Sequence, residues 1–241
     1  MKPKLMSAVV AGLVLLMATL TCSAGNIETH TNVLTGAPLA DFEGYSDGTL
    51  ISNQYVGVTF TQNGGAWYPN GGSPQINDYP WYYGYGASSG NGVLTGSTSS
   101  GAPYSTVEGI VAQFSTPQSA VEVFLSDTSP LGNYPITAFD SHGNVLESFT
   151  VLGSDILPAG YTGCGSYYYP PPPCTPSPGI YVGFWDPTAD ISSIQIGPGT
   201  AAGDAFAIDD LRVGTSATPE PCSILLLGSF LGLGSLLRRK K

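Results

Sequence analysis

Between residues 25 and 218 no stretch keeps a helical repeat of apolar residues for more than two turns, which limits the body to strands and loops. Val121, Val123 and Leu125 alternate with Glu122 and Phe124, and Ile194 and Ile196 alternate with Ser193 and Gln195. That period of two puts successive side chains on opposite faces of a sheet. The pattern predicts strands at Leu39–Gly44, Tyr55–Thr61, Val107–Ser115, Ala120–Ser126, Ile136–Asp140, Val145–Leu152, Ile180–Trp185, Ile191–Gly197 and Ala205–Val213. Asp140-Ser141-His142-Gly143-Asn144 reads as a hairpin loop in which Gly143 supplies a positive φ. About 190 residues suffice for one domain that buries roughly 70% of its unfolded surface. Many short strands punctuated by Gly and Pro predict an all-β body, a single antiparallel β-sandwich with jelly-roll as the first choice.

In the last strand Phe206 and Ile208 share one face and Leu211 and Val213 the other, so a bulge at Asp209-Asp210 is needed to bring both pairs to the core. Asp41 and Glu43, two apart on the predicted first strand, would then lie near Asp209 and Asp210. Together they would offer hard oxygen ligands for a structural Ca²⁺. The alternatives are solvated edge carboxylates, or neutralisation of one of them by Arg212. A second candidate surface is aromatic. Trp67, Trp81, Tyr82 and Tyr83 lie in the Gly/Pro/Asn-rich stretch 63–92, where exposed rings would stack on sugars and buried ones would form a satellite cluster under a long loop.

Both ends of the chain read as targeting segments, expected to flank the sandwich as an N-terminal signal helix and a C-terminal hydrophobic helix. Lys2 and Lys4 precede an apolar run, Ala8 to Leu20, and Cys22-Ser23-Ala24 offers small residues at the −3 and −1 positions of a cleavage site. Residues 1–24 are therefore expected to be a signal peptide and mature protein to begin near Gly25. A lipobox at Cys22 is the poorer fit, given Thr19 and Thr21. The sandwich is expected over 25–214 and a linker over 215–218. At 219–241 Pro219-Glu220-Pro221 leads into the uncharged run Cys222 to Leu237 and ends on Arg238-Arg239-Lys240-Lys241. The run spans roughly 24 Å as a helix, short of a ~30 Å hydrocarbon core, and inserts if the bilayer thins and the flanking cations snorkel.

Removing both segments takes away Lys2, Lys4, Glu220 and the four terminal cations. From 17 acids and 7 bases, the body keeps 16 acids and one base, Arg212, for a net charge of −15. Such a surface repels nucleic acid and anionic lipid, which are poor partners for it. A body without lysine cannot form Lys–Asn isopeptide crosslinks. Cys164 and Cys174 remain, expected to form a disulfide that clamps the Tyr167–Pro173 loop; a two-thiol metal pair is the rival reading. His30 and His142 are the only histidines, and no Gly-x-Ser-x-Gly elbow or His-Glu-x-x-His helix is present, so no catalytic residue is assigned.

The tail resembles that of the PEP-CTERM proteins of bacteria, the substrates of exosortases, over about 23 residues and with its three parts in the family's order. Cys222 stands where many members carry Ser or Thr. The resemblance implies anchoring in the inner membrane, then processing by an exosortase-like membrane transpeptidase. It further implies delivery to the cell surface, outer envelope or extracellular matrix, commonly among extracellular polysaccharide. Asp41-Phe42-Glu43-Gly44 with Tyr55–Phe60, and Phe206–Val213, loosely resemble the opening and closing strands of galactose-binding-like and lectin-like jelly rolls. The leading expectation is an exported, non-catalytic surface or matrix protein. The alternatives are a carbohydrate-binding module and, behind it, a glycoside hydrolase using paired carboxylates.

Overall fold

In the computed structural model, residues 25–36, 38–63, 73–77, 86–96, 109–127, 132–157, 177–197 and 206–214 are described. They carry β1 (Gly25–Thr29), β2 (Val58–Asn63), β3 (Gln75–Asn77), β4 (Val93–Thr95), β5 (Gly109–Gln118) and β6 (Ala120–Asp127). β7 (Asn133–Phe139), β8 (Val145–Leu152), the helical turn α1 (Gly153–Ile156), β9 (Ile180–Trp185), β10 (Ile191–Ile196) and β11 (Phe206–Val213) follow. The expected terminal helices, 1–24 and 219–241, lie outside the described residues, as do Cys164 and Cys174.

The strands form two antiparallel sheets, ordered β1-β9-β6-β11-β4-β3 and β2-β5-β10-β7-β8. This is the all-β sandwich that the alternation predicts. Inward residues of both sheets belong to one core, among them Phe60, Ile110, Ile136 and Ile194 from the second sheet and Val123, Leu125, Val182 and Phe184 from the first. Phe149 and Phe184 meet edge-on across the gap, with centroids 5.3 Å apart, a geometry that adds to the burial of the rings themselves. Gly143 takes φ 81° in the loop between β7 and β8. Asp140 holds that loop by accepting the amide N–H groups of His142 and Asn144 at 2.8 Å each. These donors, the Asn144 side chain foremost, hold the Asp140 carboxyl below its ordinary range.

Two parts of the predicted pattern differ. Leu39–Gly44 is not a strand: only Ala40 bridges β11, opposite Leu211. The chain turns immediately afterwards because Phe42 adopts φ 56° and Gly44 φ 80°. The Phe42 ring explains the turn. It is fully buried, edge-on to Phe60 at 5.4 Å and Tyr55 at 5.7 Å, and an extended backbone would aim it elsewhere. Asp41 and Glu43 consequently do not share a strand face. β1, β3 and β4 also escaped the sequence pattern, since β1 buries only Ile27 and the other two are three residues long.

Candidate functional site

The bulge in β11 builds the first candidate site. The ladder to β6 shifts register between Asp209 and Arg212, and Asp210 takes φ 46°. Phe206, Ile208 and Leu211 thereby all reach the core, with Val213 packed at its margin. Asp209 and Arg212 are left on the outer face of the first sheet, beside Glu122 of β6, which stands directly opposite Arg212 in the ladder. Glu122 and Asp209 are fully buried and Asp210 nearly so. Arg212 donates to Asp210 Oδ2 at 3.1 Å and to the carbonyl of Gly36. Glu122 Oε2 accepts the amide N–H of Val33 at 2.7 Å and of Leu34 at 3.4 Å. Of the three buried acids, Arg212 bonds Asp210 and faces Glu122 in the ladder, under a cover formed by two loops.

The second loop, residues 86–92, is held by side-chain oxygens. Gly86 donates its amide to Ser126 Oγ at 2.7 Å. Asp209 Oδ2 accepts the amides of Ser88 at 2.9 Å and Ser89 at 3.1 Å, and Asp210 Oδ1 accepts the Ser89 hydroxyl at 3.1 Å. Glu43 Oε1 accepts the amides of Asn91 at 3.0 Å and Gly92 at 2.8 Å. Gly92 is needed where it is, because a side chain there would collide with the Phe42 carbonyl. Desolvation raises the pKa of Asp209 to about 7 against these donors, and it also raises those of Glu122 and Tyr181. Tyr55, whose hydroxyl approaches Asp41 Oδ1 at 3.5 Å, is raised as well, first by burial and then by the Asp41 charge.

The Ca²⁺ expectation put Asp41 and Glu43 on one strand face, which the turn at Phe42 does not give. Asp41 accepts the Glu43 amide and the Tyr55 hydroxyl. Glu43, Asp209 and Asp210 are spent on N–H, O–H and guanidinium donors. No group of three His, Cys, Asp or Glu among the described residues is placed to hold a metal ion. Nothing in the sequence singled out Glu122, Ser88 or Ser89. A charge alternating with core residues looks like any solvent-facing position until another segment is found covering it.

The second candidate is the outer face of the other sheet. Across four strands Thr59, Gln113, Ser193 and Phe139 stand in register. Across five, Thr61, Val111, Gln195, Thr137 and Ser148 do the same. Thr137 and Ser148 hydroxyls touch at 3.0 Å, and Thr59, Thr61 and Gln113 are exposed. Neither row holds a charge, in a body with 16 acids. Outward Thr, Ser and Gln recurring at every second position were the available sequence signal for this face. The predicted stacking residues Trp67, Trp81, Tyr82 and Tyr83 lie outside the described residues.

No protein-family model matches the chain, and no curated protein matches it in sequence. Several solved structures resemble it distantly, and three of them are described. One is the K2 cleaved adhesin domain of Lys-gingipain, with TM-score 0.39 and 12% identity over 80% of this chain and 99% of that one. Another is TmCBM61 in complex with β-1,4-galactotriose, with TM-score 0.33 and 11% identity over 77% and 99%. The third is the enzymatically active domain of tailspike protein 4 of bacteriophage CBA120, with TM-score 0.33 and 13% identity. It covers 72% of this chain but only 21% of that one. At these scores the likenesses carry no functional argument.

Proposed function

We propose that the body is a non-catalytic carbohydrate-binding module of jelly-roll form, with the outer face of the β2-β5-β10-β7-β8 sheet as its glycan platform. The strand order supports the form: β4-β11-β6-β9 opposite β5-β10-β7-β8 is the arrangement that two interlocked Greek keys produce. The observation that carries the function is the pair of uncharged hydroxyl and amide rows. Such groups exchange hydrogen bonds with sugar hydroxyls, and half-buried Phe139 at the end of one row offers an apolar surface to a sugar ring. A neutral platform on a body of charge −15 favours uncharged glycans and disfavours anionic ones.

The test is retention of the full chain on neutral polysaccharides. The double variant Thr59→Ala/Gln113→Ala, which clears two adjacent positions of one row, is expected to weaken binding at least tenfold, about 1.4 kcal/mol. Binding left intact by this variant but abolished by Trp81→Ala would move the site to the aromatic stretch. No retention on any glycan would leave a purely structural matrix protein, and turnover of a glycan would make it a hydrolase.

Export and sorting belong to the same proposal, supported by Pro219-Glu220-Pro221, the apolar run behind it and the terminal cations. In a host with an exosortase, mass spectrometry of surface-released protein is expected to show the residues after Pro221 removed. An intact Lys241 on that material would refute processing.

A further inference from the structure

The two polar rows on the outer face of the second sheet are not equivalent. The row through Thr59, Gln113, Ser193 and Phe139 continues onto the edge strand, where Phe139 stands opposite Val145. In the neighbouring row the polar groups are already engaged. Thr137 and Ser148 bond each other, Ser148 also bonds the Ile136 carbonyl, and Gln195 donates to the Gly197 carbonyl. Among the described residues, no hydrogen bond engages the side chains of Thr59, Gln113 or Ser193. One row spends its polar groups on the protein; the other holds them ready.

Two β-bulges also fall at this row. The β10-β5 ladder shifts register just before Ser193, and the β7-β8 ladder just before Phe139. The second shift changes what the edge strand presents. Ser148, Thr150 and Leu152 are exposed, so strict alternation would turn Leu146 outward and Val145 inward. Instead Leu146 packs against the core, and Val145 is 59% exposed beside half-buried Phe139. Bulges re-aim side chains in this way and are over-represented next to functional sites. The result is an apolar pair at one end of a line of unspent polar groups.

Given the carbohydrate reading of that face, on which this rests, we propose that the row is a track for one class of polymer. That class is a linear, uncharged, β-1,4-linked polysaccharide of the glucan, mannan or xylan kind, laid across the strands from β2 to β8. Neighbouring strands lie about 4.8 Å apart, close to the advance of one pyranose ring in a chain whose links are both equatorial. Such a chain is a straight ribbon that sets one ring over each strand, whereas an α-1,4-linked chain coils away from the row. Five strands span about 19 Å between the outermost two and so hold about five rings. Phe139 and Val145 take the C–H face of a ring, while Ser193, Gln113 and Thr59 meet hydroxyls along the ribbon. Thr59 and Val145 are both exposed, so the track is open at each end and takes an internal stretch of chain.

The test is calorimetry of the full chain with cello-, manno- and xylo-oligosaccharides of one to six units. In at least one series, affinity is expected to rise about tenfold or more from dimer to pentamer and to level off at the hexamer. Val145→Ser, at an exposed position, should weaken the pentamer roughly fivefold by removing apolar contact. Thr61→Ala, in the neighbouring row, should change it less than about twofold. A monosaccharide bound as tightly as the pentamer would overturn the track and leave the carbohydrate reading standing. So would unchanged pentamer binding by Val145→Ser, or an equal loss from Thr61→Ala. Retention on an α-linked or branched neutral polysaccharide, with no binding in any of the three series, would do the same. Retention on no glycan at all would remove both.

Discussion

Arg212→Met is expected to lower the melting midpoint by on the order of 10 °C, the largest loss from any single charge change in this body. The guanidinium is the only cation within residues 25–218 and lies in contact with Asp210, opposite Glu122 in the ladder. Methionine keeps the volume of the stem but removes the charge and the donors to Asp210 and the Gly36 carbonyl. Asp210 and Glu122 then remain buried without a counter-charge. Breaking a buried pair in this way costs about 3–5 kcal/mol, because the surviving charges stay desolvated. The sign of the pH dependence follows from the raised pKa values of Asp209 and Glu122. Burial favours the protonated form of both acids and protonation removes the uncompensated charge, so the variant should recover part of its stability on acidification and lose most above neutrality. Circular-dichroism melts at acidic and alkaline pH measure this. A midpoint deficit independent of pH would mean that Arg212 acts through packing alone.

Phe42→Ala is expected to cost about 3–5 kcal/mol, as for other fully buried phenylalanines. The ring joins Phe60 and Tyr55 in edge-on contacts, and Tyr55 passes the cluster on to Tyr45. It also fixes the turn that delivers Glu43 to the Asn91 and Gly92 amides. Urea titration should show a lower midpoint. Phe42→Leu should cost less than half as much, because it refills most of the volume. A full-sized loss with leucine as well would place the requirement in the backbone turn.

The architecture was legible from alternation alone where strands are long and half-buried. Val145–Leu152 and Ile180–Trp185 occupy the residues predicted, and β6 and β10 differ from prediction by one residue each. Alternation failed at Leu39–Gly44 for a physical reason. Apolar and acidic residues do alternate there, but the burial of Phe42 is won by a left-handed residue instead of an extended one. The site was less legible than the fold. Sequence placed Asp209 and Asp210 at a bulge, because the faces of β11 could not otherwise be reconciled. What surrounds them, Ser88, Ser89 and Glu122, comes from segments 80 or more residues away in the chain. Their meeting is a product of sheet order, which no local pattern reports.

Sheet order also bears on how the chain acquires its structure. β11 follows the other described strands in sequence, yet it lies between β6 and β4 in the middle of its sheet and makes the only bridge to Ala40 among the described residues. Until Phe206–Val213 is available, β4 and β6 have no partner between them, and the Ser88-Ser89 loop has nothing to close upon. Pairings of such sequence separation form slowly, since the intervening chain must be closed before any contact repays it. A chain of this wiring lacks the central pairing of its first sheet until Phe206–Val213 is free to take its place.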